Sequence, residues 1–152
     1  MKNTFLIISF LLTATISKAQ SDYQIIEKSL PYNKLATSFT TNIIGVGESL
    51  SIYNWQKFIE KHSGTTYVTS YGEGDIDLES KHVKFPLLKN QLVTIYSRFA
   101  PNNSETGVLL TIWIQKEDGT YYSSKTNPDS GKNIKQWLLL FHNKLMDLNR
   151  TH

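Results

Sequence analysis

The stretch PDSGKNIKQWLLLFHNKLMDL, residues 128–148, carries the clearest structural pattern in the chain. Its apolar residues recur at positions i, i+3, i+4 and i+7, which predicts a long amphipathic helix. These residues are Ile134, Trp137, Leu138, Phe141, Leu145 and Leu148. Either Asp129 or Ser130 would cap the helix after Pro128. A helix with one wide apolar stripe needs another apolar surface to cover it, so this element predicts a second layer.

The segment before this helix supplies that surface, because its apolar residues alternate at a period of two and Val, Ile, Thr and Tyr are frequent. Both features are typical of β-strands. We predict strands over residues 65–70, 75–79, 82–85, 91–99, 108–115 and 120–124. The pair Asp118–Gly119 predicts a tight hairpin between the last two. The apolar face beneath the helices would include Val108, Leu110, Ile112 and Ile114.

An earlier helix is predicted after Gly45 and Gly47, with Ser49 or Ser51 as its cap and Gly64 at its end. Its apolar residues recur at helical spacing and are Ile52, Trp55, Phe58 and Ile59. This apolar face is narrow, so the helix should cover another layer rather than stand alone.

Residues 20–41 have poor periodicity and are interpreted as a lead-in, with one possible edge strand at 23–27 and a turn at 30–33. Residues 42–152 would form a single domain. The predicted fold class is α+β: an antiparallel β-meander of about five to six strands, with a helix before it. The long amphipathic C-terminal helix would pack on one face of this meander.

The N-terminus has the features of a cleavable export signal. Lys2 supplies a positive charge, and residues 5–16, FLIISFLLTATI, form an uncharged apolar run. This run is too short to span a bilayer, which needs about 20 residues. The sequence Ser17–Lys18–Ala19 predicts cleavage between Ala19 and Gln20, so that residues 1–19 would be removed. We therefore expect an exported protein, periplasmic or secreted, that is soluble after cleavage.

The composition argues against several other classes of protein. The chain has no cysteine, so no disulfide and no thiol-linked lipid is available and the core alone must stabilise the fold. Two of the 16 basic residues, Lys2 and Lys18, fall in the predicted signal, which leaves the mature chain close to neutral against 13 acidic residues. The remaining basic residues are scattered, so nucleic-acid binding is not expected.

Several segments together resemble a group of small exported proteins from Bacteroidota that carry no assigned function. They are the signal ending Lys18–Ala19–Gln20, the helix NWQKFIEKHSG, the strands GVLLTIWIQ and GTYYSS, and the closing helix. The resemblance covers roughly residues 54–148. It implies a periplasmic or secreted α+β domain and transfers no catalytic residue, because its motifs are structural.

The first candidate site is an aromatic patch on the outer face of the sheet. Because Ile112 and Ile114 should point to the core, Trp113 between them should point away from it. The same alternation in the preceding strand places Tyr96 and Arg98 beside Trp113. Such a patch would suit a small molecule, a glycan or a peptide. The alternative is that these aromatic residues only pair across strands and stabilise the sheet.

The second candidate is a metal site in the string EGDIDLE, residues 73–79. Asp75, Asp77 and Glu79 offer oxygen ligands at alternate positions, a set that would suit Ca²⁺. The EF-hand pattern fails, because Ser80 stands where its glycine is required. The alternative is a strand that turns its apolar residues inward and its acids outward.

Neither a catalytic motif nor a cofactor motif is complete in the sequence. The string IIGVGESLS, residues 43–51, lacks the third glycine of a dinucleotide fingerprint, the Gly-Lys pair of a phosphate loop and the last glycine of a nucleophile elbow. The four histidines, which are His62, His82, His142 and His152, have no metal-ligand spacing. No cofactor is therefore expected.

Three functions remain open from the sequence. The first is an exported, non-catalytic binding or interaction domain, because the sequence offers surfaces and no reaction centre. The second is a small extracytoplasmic hydrolase whose polar residues converge only in space. The third is an inhibitor or assembly component that pairs through a sheet edge.

Overall fold

The computed structural model describes residues 24–72 and 74–150. The predicted signal, its cleavage point, Tyr23, Glu73 and His152 lie outside these residues. Along the described chain the elements are β1 (Ile26–Pro31), β2 (Leu35–Ile44), α1 (Glu48–Glu60), β3 (Thr65–Tyr71), β4 (Ile76–Phe85), a short 3-10 turn (Pro86–Leu88), β5 (Gln91–Pro101), β6 (Gly107–Lys116) and α2 (Pro128–Arg150).

The strands form one antiparallel sheet in the order β1-β2-β6-β5-β4-β3. Strands β3 to β6 follow one another as a meander, and the β1–β2 hairpin joins them through β2, which pairs with β6. The chain crosses to the far edge of the sheet through α1. The predicted α+β fold, with an early helix and a long C-terminal helix, is confirmed.

Both helices cover the same face of the sheet, and the main core lies between them and that face. Ile112 and Ile114 of β6 are fully buried there, as their alternation predicts. Trp55 of α1 packs edge-on against two rings of α2, with ring centroids 5.3 Å from Trp137 and 4.9 Å from Phe141. The apolar stripe of α2 is therefore the buried one, although its last member, Leu148, is exposed.

The helix starts differ from the predicted serine and aspartate caps. Helix α1 begins at Glu48 after Gly47, which has no side-chain cap, and Ser51 Oγ instead donates to the Gly47 carbonyl oxygen at 3.0 Å. At α2 the cap comes from Asn127, whose Oδ1 accepts from Ser130 N at 3.0 Å. The residues predicted as caps, Ser49, Ser51, Asp129 and Ser130, all lie inside the first turn of their helix, where the Ser51 hydroxyl and the Ser130 amide bond back toward the preceding residues.

Three stretches of the sheet differ from the expected strands. The described part of 20–41, expected to be a lead-in, holds β1 and most of β2, so the domain begins no later than Ile26. The predicted strands 75–79 and 82–85 are one strand, β4, with an irregularity between Ser80 and Val83. The predicted strand 120–124 is wrong, because this segment makes only an isolated bridge at Tyr121.

Candidate functional site

The structure brings Tyr96, Arg98 and Trp113 together on the face of the sheet opposite the helices. Tyr96 of β5 is the direct cross-strand neighbour of Trp113 of β6. The Arg98 guanidinium carbon lies 5.7 Å from the centre of the Trp113 ring. The alternation argument therefore selected the right face for all three residues.

Trp113 is nevertheless buried, which contradicts the expectation of an exposed aromatic patch. Its exposed fraction is 1%, because the turn of the β1–β2 hairpin folds over the outer face. The Tyr32 ring in that turn lies 4.6 Å from the Tyr96 ring and 5.2 Å from the Trp113 ring. Trp113 Nε1–H also donates to the carbonyl oxygen of Leu30 at 3.2 Å. The aromatic cluster is thus a second, smaller core.

Small side chains on β2 leave room for this cover. Ala36 and Ser38 alternate along β2 and are both buried, and Ser38 Oγ donates to the Lys28 carbonyl oxygen at 2.9 Å. Burial is the main cause that raises the pKa of the Tyr32 phenol above its ordinary value, and the carboxylates of Asp77 and Glu79 add to it. The Tyr32 phenol is therefore neutral near pH 7.

Arg98 closes the cluster through a bidentate ion pair. Its Nε and Nη2 donate to the two carboxylate oxygens of Asp77 at 2.8 and 2.9 Å. These hydrogen bonds, more than any other influence, raise the pKa of Arg98. The Asp75 carboxylate lies farther off, 3.9 Å from Arg98 Nε.

The predicted metal ligands are engaged in these ion pairs. Both oxygens of Asp77 accept from Arg98, and a Glu79 oxygen lies 3.2 Å from Lys81 Nζ. No group of three or more His, Cys, Asp or Glu side chains able to hold a metal ion occurs in residues 24–72 and 74–150. Asp77 and Glu79 of β4 thus match the alternative, acids turned outward from a strand, and Asp75 lies just before that strand.

Strand β3 presents a different kind of site, an open sheet edge. Its sequence TTYVTSY contains β-branched, hydroxyl and aromatic side chains, and neither a charged residue nor a proline. Tyr67 is 54% exposed and Tyr71 is 77% exposed. Strand β4 pairs with one side of β3, and no other described strand pairs with the opposite side. Such an edge offers backbone N–H and C=O groups to another chain.

The pairing register between β3 and β4 shifts between Val68 and Ser70. A bulge at such a shift increases the local twist and interrupts regular pairing. The regular part of the edge is therefore the first half of the strand, Thr65–Val68.

Strand β1 forms the other edge and carries the protections that β3 lacks. Its sequence IEKSLP contains the charged residues Glu27 and Lys28, and Pro31 has no N–H to offer. Glu27 also fastens β1 to the rest of the molecule. Its oxygens accept from Ser124 N at 2.7 Å and from Ser124 Oγ at 2.5 Å, and one lies 2.9 Å from Lys135 Nζ.

This carboxylate clamp has a pH dependence of known sign. Burial alone would raise the pKa of Glu27, but the hydrogen bonds from Ser124 and Lys135 outweigh it and hold the pKa below its ordinary value. The clamp therefore contributes stability above the unfolded pKa of Glu27 and loses it as the pH falls through the folded one.

The three histidines of the described chain, His62, His82 and His142, differ in packing and exposure. The His62 ring packs against Phe58, with ring centroids 6.1 Å apart, and His82 is exposed at the irregularity of β4. Burial is the main cause that lowers the pKa of His62 and of His142. These directions follow from burial and by themselves assign neither histidine a chemical role.

The glycine-containing string 43–51 lines a shallow surface depression of about 400 Å³. The opposite wall is the β5–β6 turn, from Pro101 and from Glu105 to Val108. Gly107 is required there, because an added Cβ would lie 1.9 Å from the Ile43 carbonyl oxygen. This glycine thus serves the close approach of two backbones, which is a structural role.

The fold and these surfaces define a two-layer α+β protein with one protected and one open sheet edge. No family model, no curated protein and no solved structure matches the chain. Across residues 24–72 and 74–150, neither helix has the length and apolar character needed to cross a membrane.

Proposed function

We propose that the protein is a non-catalytic interaction domain that acts outside the cytoplasm and binds an extended segment of a partner protein along β3. The observation that carries this proposal is the contrast between the two edges of one sheet. Strand β1 has charges, a proline and the Glu27 clamp, whereas β3 has none of the three. Charge, proline and a clamp protect one edge and are absent from the other, and this contrast favours a pairing role for the open edge, above all for its regular first half before the irregularity at Val68 and Ser70.

Strand addition uses the chemistry that β3 has available. Backbone hydrogen bonds between the partner and β3 would supply affinity, and alternate side chains such as Tyr67 would supply contact area. The aromatic cluster of Tyr96, Arg98 and Trp113, which was the first candidate, is covered by Tyr32. The β3 edge therefore offers a more accessible binding surface than the outer face of the sheet.

The export part of the proposal rests on the sequence of residues 1–19. An apolar segment with Lys2 before it and Ser17–Lys18–Ala19 after it is typical of a cleaved signal. A domain without cysteine does not depend on the redox state of the compartment in which it works.

The test begins with selection of random seven-residue peptides displayed on phage against the purified mature protein. Amide hydrogen exchange then locates the contact: a selected peptide should slow exchange in residues 65–71 and leave residues 26–31 unchanged. The same peptide with alternate amides N-methylated loses the backbone N–H donors at those positions. Its affinity should fall by about tenfold or more. Equal binding of both peptides, or unchanged exchange along β3, would exclude strand addition.

A matched pair of protein variants provides the control. Tyr67→Lys puts a charge on the open edge, whereas Tyr53→Lys makes the same change on α1 at a similar exposure, 57% against 54%. Only Tyr67→Lys should weaken peptide binding, because a charge in the pairing strand has to be desolvated. Equal effects of the two variants would contradict the proposed location.

A further inference from the structure

We propose that β3 prefers an extended peptide that runs antiparallel to it, with a basic residue at the peptide's N-terminal end and an acidic residue at its C-terminal end. This inference rests on the proposed strand-pairing function and goes beyond it, because it specifies the partner's charge pattern and direction. The observations behind it are the charges at the two ends of β3, which are opposite in sign.

The end of β3 at Tyr71 is acidic. Asp75 lies beside it, since its carbonyl oxygen accepts from Gly72 N at 2.8 Å. The Asp75 side chain is 46% exposed and approaches Arg98 Nε only to 3.9 Å. Arg98 is instead held by Asp77 through two short hydrogen bonds. Arg98 therefore neutralises the Asp75 carboxylate only in part, which leaves negative charge at this end of β3.

The end of β3 at Thr65 is basic. Lys81 is the cross-strand neighbour of Thr65, and its side chain is 49% exposed. Lys61, also exposed, caps the C-terminus of α1 just before β3. Glu79, which pairs with Lys81, neutralises only part of this charge.

The preferred charge pattern of the peptide follows from its direction relative to β3 and from the charges at the two ends of that strand. Antiparallel pairs outnumber parallel pairs, and every pair in this sheet is antiparallel. An antiparallel peptide starts at the Tyr71 end and finishes at the Thr65 end. Its first residues therefore face Asp75 and its last residues face Lys61 and Lys81. Because β3 is itself uncharged, these end charges supply the electrostatic preference.

Three acetylated and amidated peptides test the inference: RTVTVTE, the charge-swapped ETVTVTR and the neutral QTVTVTQ. Fluorescence anisotropy at low salt should rank their affinities in the order RTVTVTE, QTVTVTQ, ETVTVTR. Each exposed ion pair contributes little to binding, so the affinity of RTVTVTE should exceed that of QTVTVTQ by about two- to tenfold. The differences should shrink at about 0.5 M salt, where exposed charges are screened. Asp75→Asn and Lys61→Gln should each reduce the preference, and Lys28→Gln on the β1 edge should leave it unchanged.

The outcomes separate this inference from the function on which it rests. Equal affinity of the three peptides, with slowed exchange along β3, would overturn the charge pattern and leave strand pairing intact. Tighter binding of ETVTVTR would overturn the antiparallel direction. If none of the three peptides binds and the displayed library yields no β3 ligand, both proposals are wrong.

Discussion

Replacing Trp113 by alanine should cost about 3–5 kcal/mol of folding free energy, the range for buried Phe and Trp residues. The indole is 1% exposed, packs against Tyr32 and donates to the Leu30 carbonyl oxygen. A buried indole removes about 150–250 Å² from water, and about 25 cal/mol per Å² gives an upper estimate near 4–6 kcal/mol. The two estimates agree, and either is a large share of the roughly 5–15 kcal/mol that stabilises a domain.

Urea denaturation followed by far-UV circular dichroism measures this loss. Trp113→Phe serves as a comparison variant, because it keeps an aromatic ring and removes the hydrogen bond to the Leu30 carbonyl oxygen. We expect this variant to lose about 1–3 kcal/mol of folding free energy. Tyr53→Ala on the exposed side of α1 should stay within about 0.5 kcal/mol. A loss below about 1 kcal/mol for Trp113→Ala would refute the idea that the hairpin turn buries a second core.

Three further predictions concern other parts of the chain. Phe141→Ala should cost about 3–5 kcal/mol in the same assay, since the ring is 1% exposed and packs against Trp55; a cost below about 1 kcal/mol would contradict the assigned face of α2. Glu27→Gln should destabilise the protein at neutral pH, and this difference from wild type should fade as the pH falls below about 4.5, the ordinary Glu value; a pH-independent difference would contradict the clamp. The intact mass of the exported protein should correspond to a chain that begins at Gln20; retention of Met1 would contradict the predicted signal.

The sequence was sufficient for the elements whose apolar pattern is set by the main core. Helix α2 has five of its apolar residues on the buried side, and β6 alternates as predicted because Ile112 and Ile114 lie under the helices. In both elements one side faces the main core; the other side is largely exposed in α2 and contributes to the smaller aromatic core in β6. Periodicity reports this asymmetry directly, so the face of each element could be predicted.

The β1–β2 hairpin could not be predicted in the same way. On β2 the outer face carries the small buried residues Ala36 and Ser38, and on the neighbouring β6 the same face carries Trp113, which packs against Tyr32. Small residues on the outer face give a strand little apolar alternation, so periodicity in residues 20–41 predicts only one possible edge strand and no β2. Missing the hairpin also meant missing the cover over Trp113. One unrecognised long-range packing arrangement thus accounts for both errors.

The hairpin also explains why the candidate binding surface is the β3 edge and not the outer face of the sheet that the sequence predicts. The helices cover the inner face, and Tyr32 covers the aromatic cluster on the outer face. At the β1 edge, Glu27 holds the strand against Ser124 and Lys135. Each of these features closes a surface that would otherwise be free to bind or to aggregate. Strand β3 keeps its exposed tyrosines and its uncharged edge, and the irregularity between Val68 and Ser70 is the one such protection that its described residues show; this contrast with β1 is the basis of the pairing role proposed above.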